Sequence, residues 1–160
     1  MQKKNPPIYV TRPSLPPVEE YERYVREIFD SRFLTNNGAL HHALEAALSE
    51  KLQSRYFRLF TNGHLALECA IRAFGFESGE IITTPFTFIS TTHAIVRSGF
   101  RPVFCDVEPD YYTLDPAKIE SCITPETRAI LPVHVYGNPC DVGAIDRKST
   151  RLNSSHTVLS

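Results

Sequence analysis

The chain has 160 residues, 42% of them apolar, and its 17 basic and 18 acidic side chains leave a net charge of −1. That size and composition suit one globular α/β domain, with no basic stripe for nucleic acid and no acidic tail for a charged partner. No apolar run approaches the roughly 20 residues of a membrane-spanning helix, and Pro6 and Pro7 interrupt the place where a signal peptide carries its apolar stretch, so the cytoplasm is the expected location.

Residues 1–16 contain Pro6, Pro7, Pro13 and Pro16 and should form an extended, irregular arm. A helix is predicted from Pro17, which suits a first turn, to about Asp30. Its apolar face is Tyr21, Tyr24, Val25 and Ile28, at i, i+3, i+4 and i+7. The turn residues LTNNG at 34–38 break that pattern. A second helix follows from about Ala39 to Gln53, with Leu40, Ala43, Leu44, Ala47, Leu48 and Leu52 as its stripe. From Tyr56 the rhythm changes to strand, turn, helix. Strands are predicted at 57–60, 80–83, 102–105 and 128–133, with helices at about 64–75, 88–98 and 115–122. This alternation argues for βαβ units and a mostly parallel sheet covered on both faces.

The four cysteines at 69, 105, 122 and 140 have no C-x-x-C spacing. Cys69 and Cys105 fall in apolar patterns, where a free thiol behaves as a small hydrophobe. The histidines are unclustered apart from His41 and His42, so no metal site is expected.

The turn Thr61-Asn62-Gly63-His64, between a strand and a helix, is the best local site. A helix N-terminus carries unpaired amides and a partial positive charge, and so binds phosphate without a basic side chain. Gly63 would allow close backbone approach, while Thr61 and Asn62 could add hydrogen bonds. Taken alone, such a turn is weak evidence for a ligand site, and an ordinary N-cap is the better reading of the same residues. After the second strand comes Thr84-Pro85-Phe86-Thr87-Phe88, whose aromatics could face a ligand or simply pack in the core. After the fourth comes Val133-His134-Val135-Tyr136-Gly137-Asn138-Pro139. Parallel sheets bind ligands beyond the carboxyl ends of their strands, which makes His134, Tyr136 and Asn138 candidates, although a histidine can also merely cap a loop.

In order and spacing, LTNNG, FTNG, TTPFTF and VHVYGNP resemble the front of the cofactor domain of the DegT/DnrJ/StrS sugar aminotransferases. The resemblance covers about residues 8–145. It implies the N-terminal part of the pyridoxal phosphate (PLP)-dependent transferase type I fold, a mostly parallel sheet with flanking helices, here truncated. It also implies cofactor contacts at Thr61, Asn62, Gly63 and His64, the last standing where threonine is commoner. Phe88 would lie flat against the pyridine ring. Thr35, Asn36, His134, Tyr136 and Asn138 would belong to active-site or substrate loops. The implied reaction moves an amino group from an amino-acid donor, glutamate, to a nucleotide-linked keto-deoxysugar, in a homodimer. The wording is most similar to enzymes that aminate dTDP-linked 4-keto-6-deoxysugars. A dehydratase of the same family, a non-catalytic sugar-nucleotide-binding relative and an unrelated nucleotide-binding domain are the alternatives, the last without any G-x-G-x-x-G.

No residue matches the family's cofactor-holding lysine or the acid beside the pyridine nitrogen: Lys51, Lys118 and Lys148 lie elsewhere in the pattern. No catalytic residue is therefore assigned, and the chain is expected to be an inactive N-terminal portion. The expected domains are the arm at 1–16, the cofactor-domain portion at 17–145 and a tail at 146–160. That tail turns polar within one step, and residues 147–156 resemble translated read-through of a sequencing-library adapter. It is expected to be non-native, a natural disordered tail being the alternative. In the family's strand order, only 80–83 and 102–105 would be neighbours. The strands at 57–60 and 128–133 would then lack partners within this chain.

Overall fold

A computed structural model describes residues 8–9, 11–149 and 157–158. They fall into two compact units, Met1–Leu59 and Phe60–Ser160. In the first, residues 8–9 and 11–16 are exposed and carry neither helix nor strand, while 1–7 and 10 of the expected arm lie outside the described residues.

Helix α1 (Val18–Ser31) starts after Pro17 and ends at Arg32, a left-handed residue whose N–H reaches the Ile28 carbonyl at 2.9 Å. Helix α2 (Ala39–Lys51) follows. Both form where the apolar period puts them, yet neither buries a residue. Tyr21, Tyr24, Leu44 and Leu52 of the expected faces are exposed, and Val25, Ile28, Leu40 and Leu48 are half-buried. Periodicity fixes which face of a helix is apolar; burying it takes a second surface.

The second unit is built on a parallel sheet of β1 (Glu80–Thr83), β2 (Arg101–Phe104), β3 (Thr127–Ile130) and β4 (Thr157–Val158), in the order β2-β1-β3-β4. Successive strand residues point to opposite faces. Ile81 and Ala129 therefore join Ile71 of α3 (Gly63–Ala73) and Ala94 and Ile95 of α4 (Ile89–Arg97) in one core. Ile82 and Ile130 join Ile119 of α5 (Ile119–Cys122) and Ile145 of α6 (Val142–Ser149) in another. Helices thus cover both faces, as a parallel sheet requires to keep its apolar strands from water.

Gly79 makes the entry to β1 possible. Its φ is +133°, and a Cβ there would lie 2.5 Å from the Glu126 carbonyl oxygen. Next to it, Glu80 is 1% exposed and accepts hydrogen bonds from Arg101 and Thr124.

The expected sheet needs two corrections. Residues 57–60 form no strand. Their apolar composition suits one, but a strand exists only through its ladder, and they join none. The segment expected at 128–133 does find a partner: β3 pairs with β1. The Leu131 N–H donates to the Ile82 carbonyl at 2.7 Å and the Thr83 hydroxyl to the Leu131 carbonyl at 2.8 Å. The free edge of β1 would otherwise leave buried carbonyls unpaired.

The helix expected at 115–122 shrinks to its last turn, because the Asp115 carboxylate accepts the Ala117 N–H at 2.9 Å and holds a turn ahead of it. Cys69 is exposed, against its apolar pattern, while Cys105 is buried and its thiol is pushed up to about 12, mainly by desolvation. Helix α6 continues to Ser149, past the boundary expected after Ile145. Residues 150–156, 159 and 160 lie outside the described residues. Among the described residues, no helix is long and apolar enough to cross a membrane.

Candidate active site

The chain leaves β1 through α4 on one face of the sheet and leaves β3 toward α6 on the other. The loops after these neighbouring strands therefore diverge and open a crevice at their carboxyl ends, the place where open α/β sheets bind ligands. A cleft of about 510 Å³ lies there, lined by Phe86, Phe88 and Thr91 from the first loop and helix and by His134, Val135 and Tyr136 from the second.

Hydroxyls hold the first loop. Thr84 Oγ1 accepts the Phe86 N–H at 3.0 Å, and the Thr87 and Thr91 hydroxyls lie 2.8 Å apart across the start of α4. Phe88 is the N-cap residue of α4 and is 79% exposed, so its ring is not part of the core. Phe86 packs instead against Tyr112 and Tyr136, at centroid distances of 5.8 and 6.0 Å. Tyr136 is exposed and left-handed at φ 53°. Such backbone costs a non-glycine residue about 1 kcal/mol or more.

In the second loop, the Cys140 N–H donates to His134 Nδ1 at 2.9 Å. An accepting Nδ1 carries no proton, so the imidazole proton sits on Nε2, which stays available as a donor at the loop surface. Asn138 turns away from the cleft, its Nδ2 donating to the Tyr111 carbonyl at 3.3 Å.

Helix α3 begins at the expected cradle. Asn62 caps it, with Oδ1 accepting the Leu65 N–H at 2.9 Å, and the Asn62 carbonyl accepts the Ala66 N–H. The amides of Gly63 and His64 come earlier and have no intrahelical acceptor. A Cβ on Gly63 would meet nothing within 4 Å, so no neighbour crowds this glycine. Thr61 is exposed, and its hydroxyl lies 3.4 Å from Asn62 Nδ2. These residues fit a phosphate group: two amides without an intrahelical acceptor, a helix dipole, an adjacent hydroxyl and a glycine with no neighbour at its Cβ position.

The His64 side chain is occupied elsewhere. Its Nε2 lies 2.8 Å from Glu68 Oε1 and its Nδ1 2.7 Å from the Ser90 hydroxyl in the first turn of α4. Arg97 Nε donates to the same Glu68 oxygen at 2.6 Å. The Arg97 guanidinium, with His64 beside it, holds the Glu68 carboxyl below the usual range. Stability from this arrangement is complete above about pH 4.5, the ordinary glutamate value, and is lost as pH falls through the lowered folded value. The melting temperature should therefore drop more steeply below pH 4.5 in the parent chain than in Glu68→Gln; parallel profiles would show that Glu68 carries no such linkage.

The fold thus gathers Phe88, His134 and Tyr136 in one cleft and links the 61–64 turn to it through Ser90. Thr35 and Asn36 belong to the first unit, where Thr35 lines a cleft of about 610 Å³ with Ile28, Phe33 and His41. Ser90, Glu68 and Arg97 do not stand out in the sequence as site residues. The i, i+4 spacing of His64 and Glu68 was a usable signal; nothing local marks Ser90.

The architecture is that of the sugar aminotransferases. A structure of NtdA from Bacillus subtilis with bound PMP matches with a TM-score of 0.81 and 32% identity, over 88% of this chain and 32% of that one. A structure of DesI with its TDP-sugar product matches at 0.80 and 28% identity, over 92% and 37%. The DegT/DnrJ/EryC1/StrS aminotransferase family signature matches residues 17–154, and the chain belongs to this family. It is 50% identical, over 147 residues, to a dTDP-4-amino-4,6-dideoxy-D-glucose transaminase of Shigella dysenteriae. The match covers 92% of this chain and 40% of that relative's length.

Proposed function

We propose that these 160 residues belong to a cytoplasmic, homodimeric aminotransferase that uses PLP to pass an amino group from glutamate to a dTDP-linked 4-keto-6-deoxysugar, and that they supply part of its cofactor site. The observation that carries this reading is the pair of free amides at Gly63 and His64, tied through Ser90 to the helix that Phe88 caps. The identity to the Shigella transaminase supports the substrate class.

When bound, PLP supplies the electron sink and carries the transferred nitrogen. The amides of Gly63 and His64, with the Thr61 hydroxyl, would hold its phosphate. Asn62 acts mainly through the helix it caps, leaving Nδ2 as a further donor. The Phe88 ring would cover one face of the pyridine, fixing its tilt and keeping water from that face. His134 Nε2–H and the Tyr136 hydroxyl would meet the sugar or its leaving proton across the cleft.

The residues lining the cleft include neither a lysine nor a carboxylate. Transamination needs both, so these 160 residues alone should bind the cofactor's phosphate without turnover. Titrating the chain with pyridoxamine 5′-phosphate and with pyridoxamine, followed by ring fluorescence, tests the reading. The phosphate form should bind at least tenfold more tightly, and inorganic phosphate should compete. Equal affinities would refute the cradle.

A further inference from the structure

We propose that His64 is a positioning residue, whose imidazole locks the first turn of α3 to the first turn of α4 and so presets the spacing between the phosphate-binding amides and the Phe88 ring. This deepens, and rests on, the cofactor-site reading above.

The two helices run side by side in the same direction. His64 at the start of α3 meets Ser90 at the start of α4. Farther along, Glu68 meets Arg97, and Arg72 Nη2 donates to the Arg97 carbonyl at 3.0 Å. Two helix N-termini therefore open at the same end of the sheet, and the only side-chain bond between their first turns among the described residues is His64–Ser90. The Glu68 carboxylate can only accept, so the imidazole proton lies on Nε2. In the neutral ring Nδ1 is then the acceptor, and the Ser90 hydroxyl donates to it. Both ring nitrogens are used, which fixes the ring plane and the rotamer. His64 also contributes its own backbone amide to the cradle, and Ser90 lies two residues beyond Phe88. A shift at this single bond moves the amide relative to the ring.

An arrangement fixed before binding spares the ligand the cost of ordering the two turns. Removing the bond should leave the fold in place, because Glu68–Arg97 and the apolar contacts of Ile71, Ala94 and Ile95 still join the helices.

The test compares the parent chain with Ser90→Ala, His64→Ala and His64→Asn, the last keeping a polar atom near the place of Nδ1. Pyridoxamine 5′-phosphate and pyridoxamine are the probes, and circular dichroism monitors the fold. Ser90→Ala and His64→Ala should weaken the phosphate form about five- to tenfold, the range of one lost hydrogen bond plus lost preorganisation. Neither should change the weaker binding of pyridoxamine, and His64→Asn should recover most of the loss. Nitrogen-15 spectra should show the Nε2–H tautomer at His64. Should the parent prefer the phosphate form while both alanine variants match it, the positioning role is wrong and the cradle stands. Without such a preference in the parent, the cradle and this inference fall together. Loss of helical signal in both variants would show that His64 holds the fold rather than the spacing.

Discussion

Gly63→Asp should abolish binding of pyridoxamine 5′-phosphate and leave the fold unchanged. A side chain at Gly63 enters open space, since an added Cβ has no neighbour within 4 Å. Aspartate in a first helical turn is favourable to the helix dipole, so α3 should be no less stable. The same carboxylate would stand beside the phosphate. Two like charges about 4 Å apart repel by about 4 kcal/mol at the effective dielectric of a protein surface, which is over a hundredfold in affinity. Gly63→Asn has nearly the same shape without the charge, so it should lose far less. Fluorescence titration with circular dichroism decides the matter. If the aspartate variant keeps the parent's affinity, the phosphate lies somewhere other than over Gly63.

Ile82→Ala should have the largest effect on stability of any conservative change in the sheet. Ile82 is fully buried on the central strand β1, where it packs with Leu114, Ile119, Ile130 and Ile145. Cutting isoleucine to alanine in such a core costs about 2–5 kcal/mol, through lost transfer energy and the cavity left behind. A domain's whole stability is about 5–15 kcal/mol, so much of the population could unfold at room temperature. Val96→Ala is the control, because Val96 is 55% exposed on α4. Urea unfolding should separate the two variants widely. Equal midpoints would mean that the layer beneath α5 and α6 is not packed as described.

Local structure and family membership were legible from the residues alone. Helices α1 to α4 lie within a residue or two of their predicted places, because apolar period, N-caps and turn residues act over a few neighbours. Strand β1 was legible for the same reason, and the segments around Gly63, Phe88 and His134 carried the resemblance that places the chain among the DegT/DnrJ/EryC1/StrS aminotransferases. What depended on distant partners was not legible. Residues 57–60 have strand composition but no ladder, and β3 pairs with β1 because an open edge there would leave buried carbonyls unsatisfied. The stripes of α1 and α2 are apolar, yet only a covering surface could bury them. Phe86 and Phe88 look alike in sequence. The tertiary structure turns the first against Tyr112 and Tyr136 and leaves the second exposed on the cleft. His64 became informative only when α4 brought Ser90 within 2.7 Å of it, a contact between residues 26 apart that no local pattern encodes.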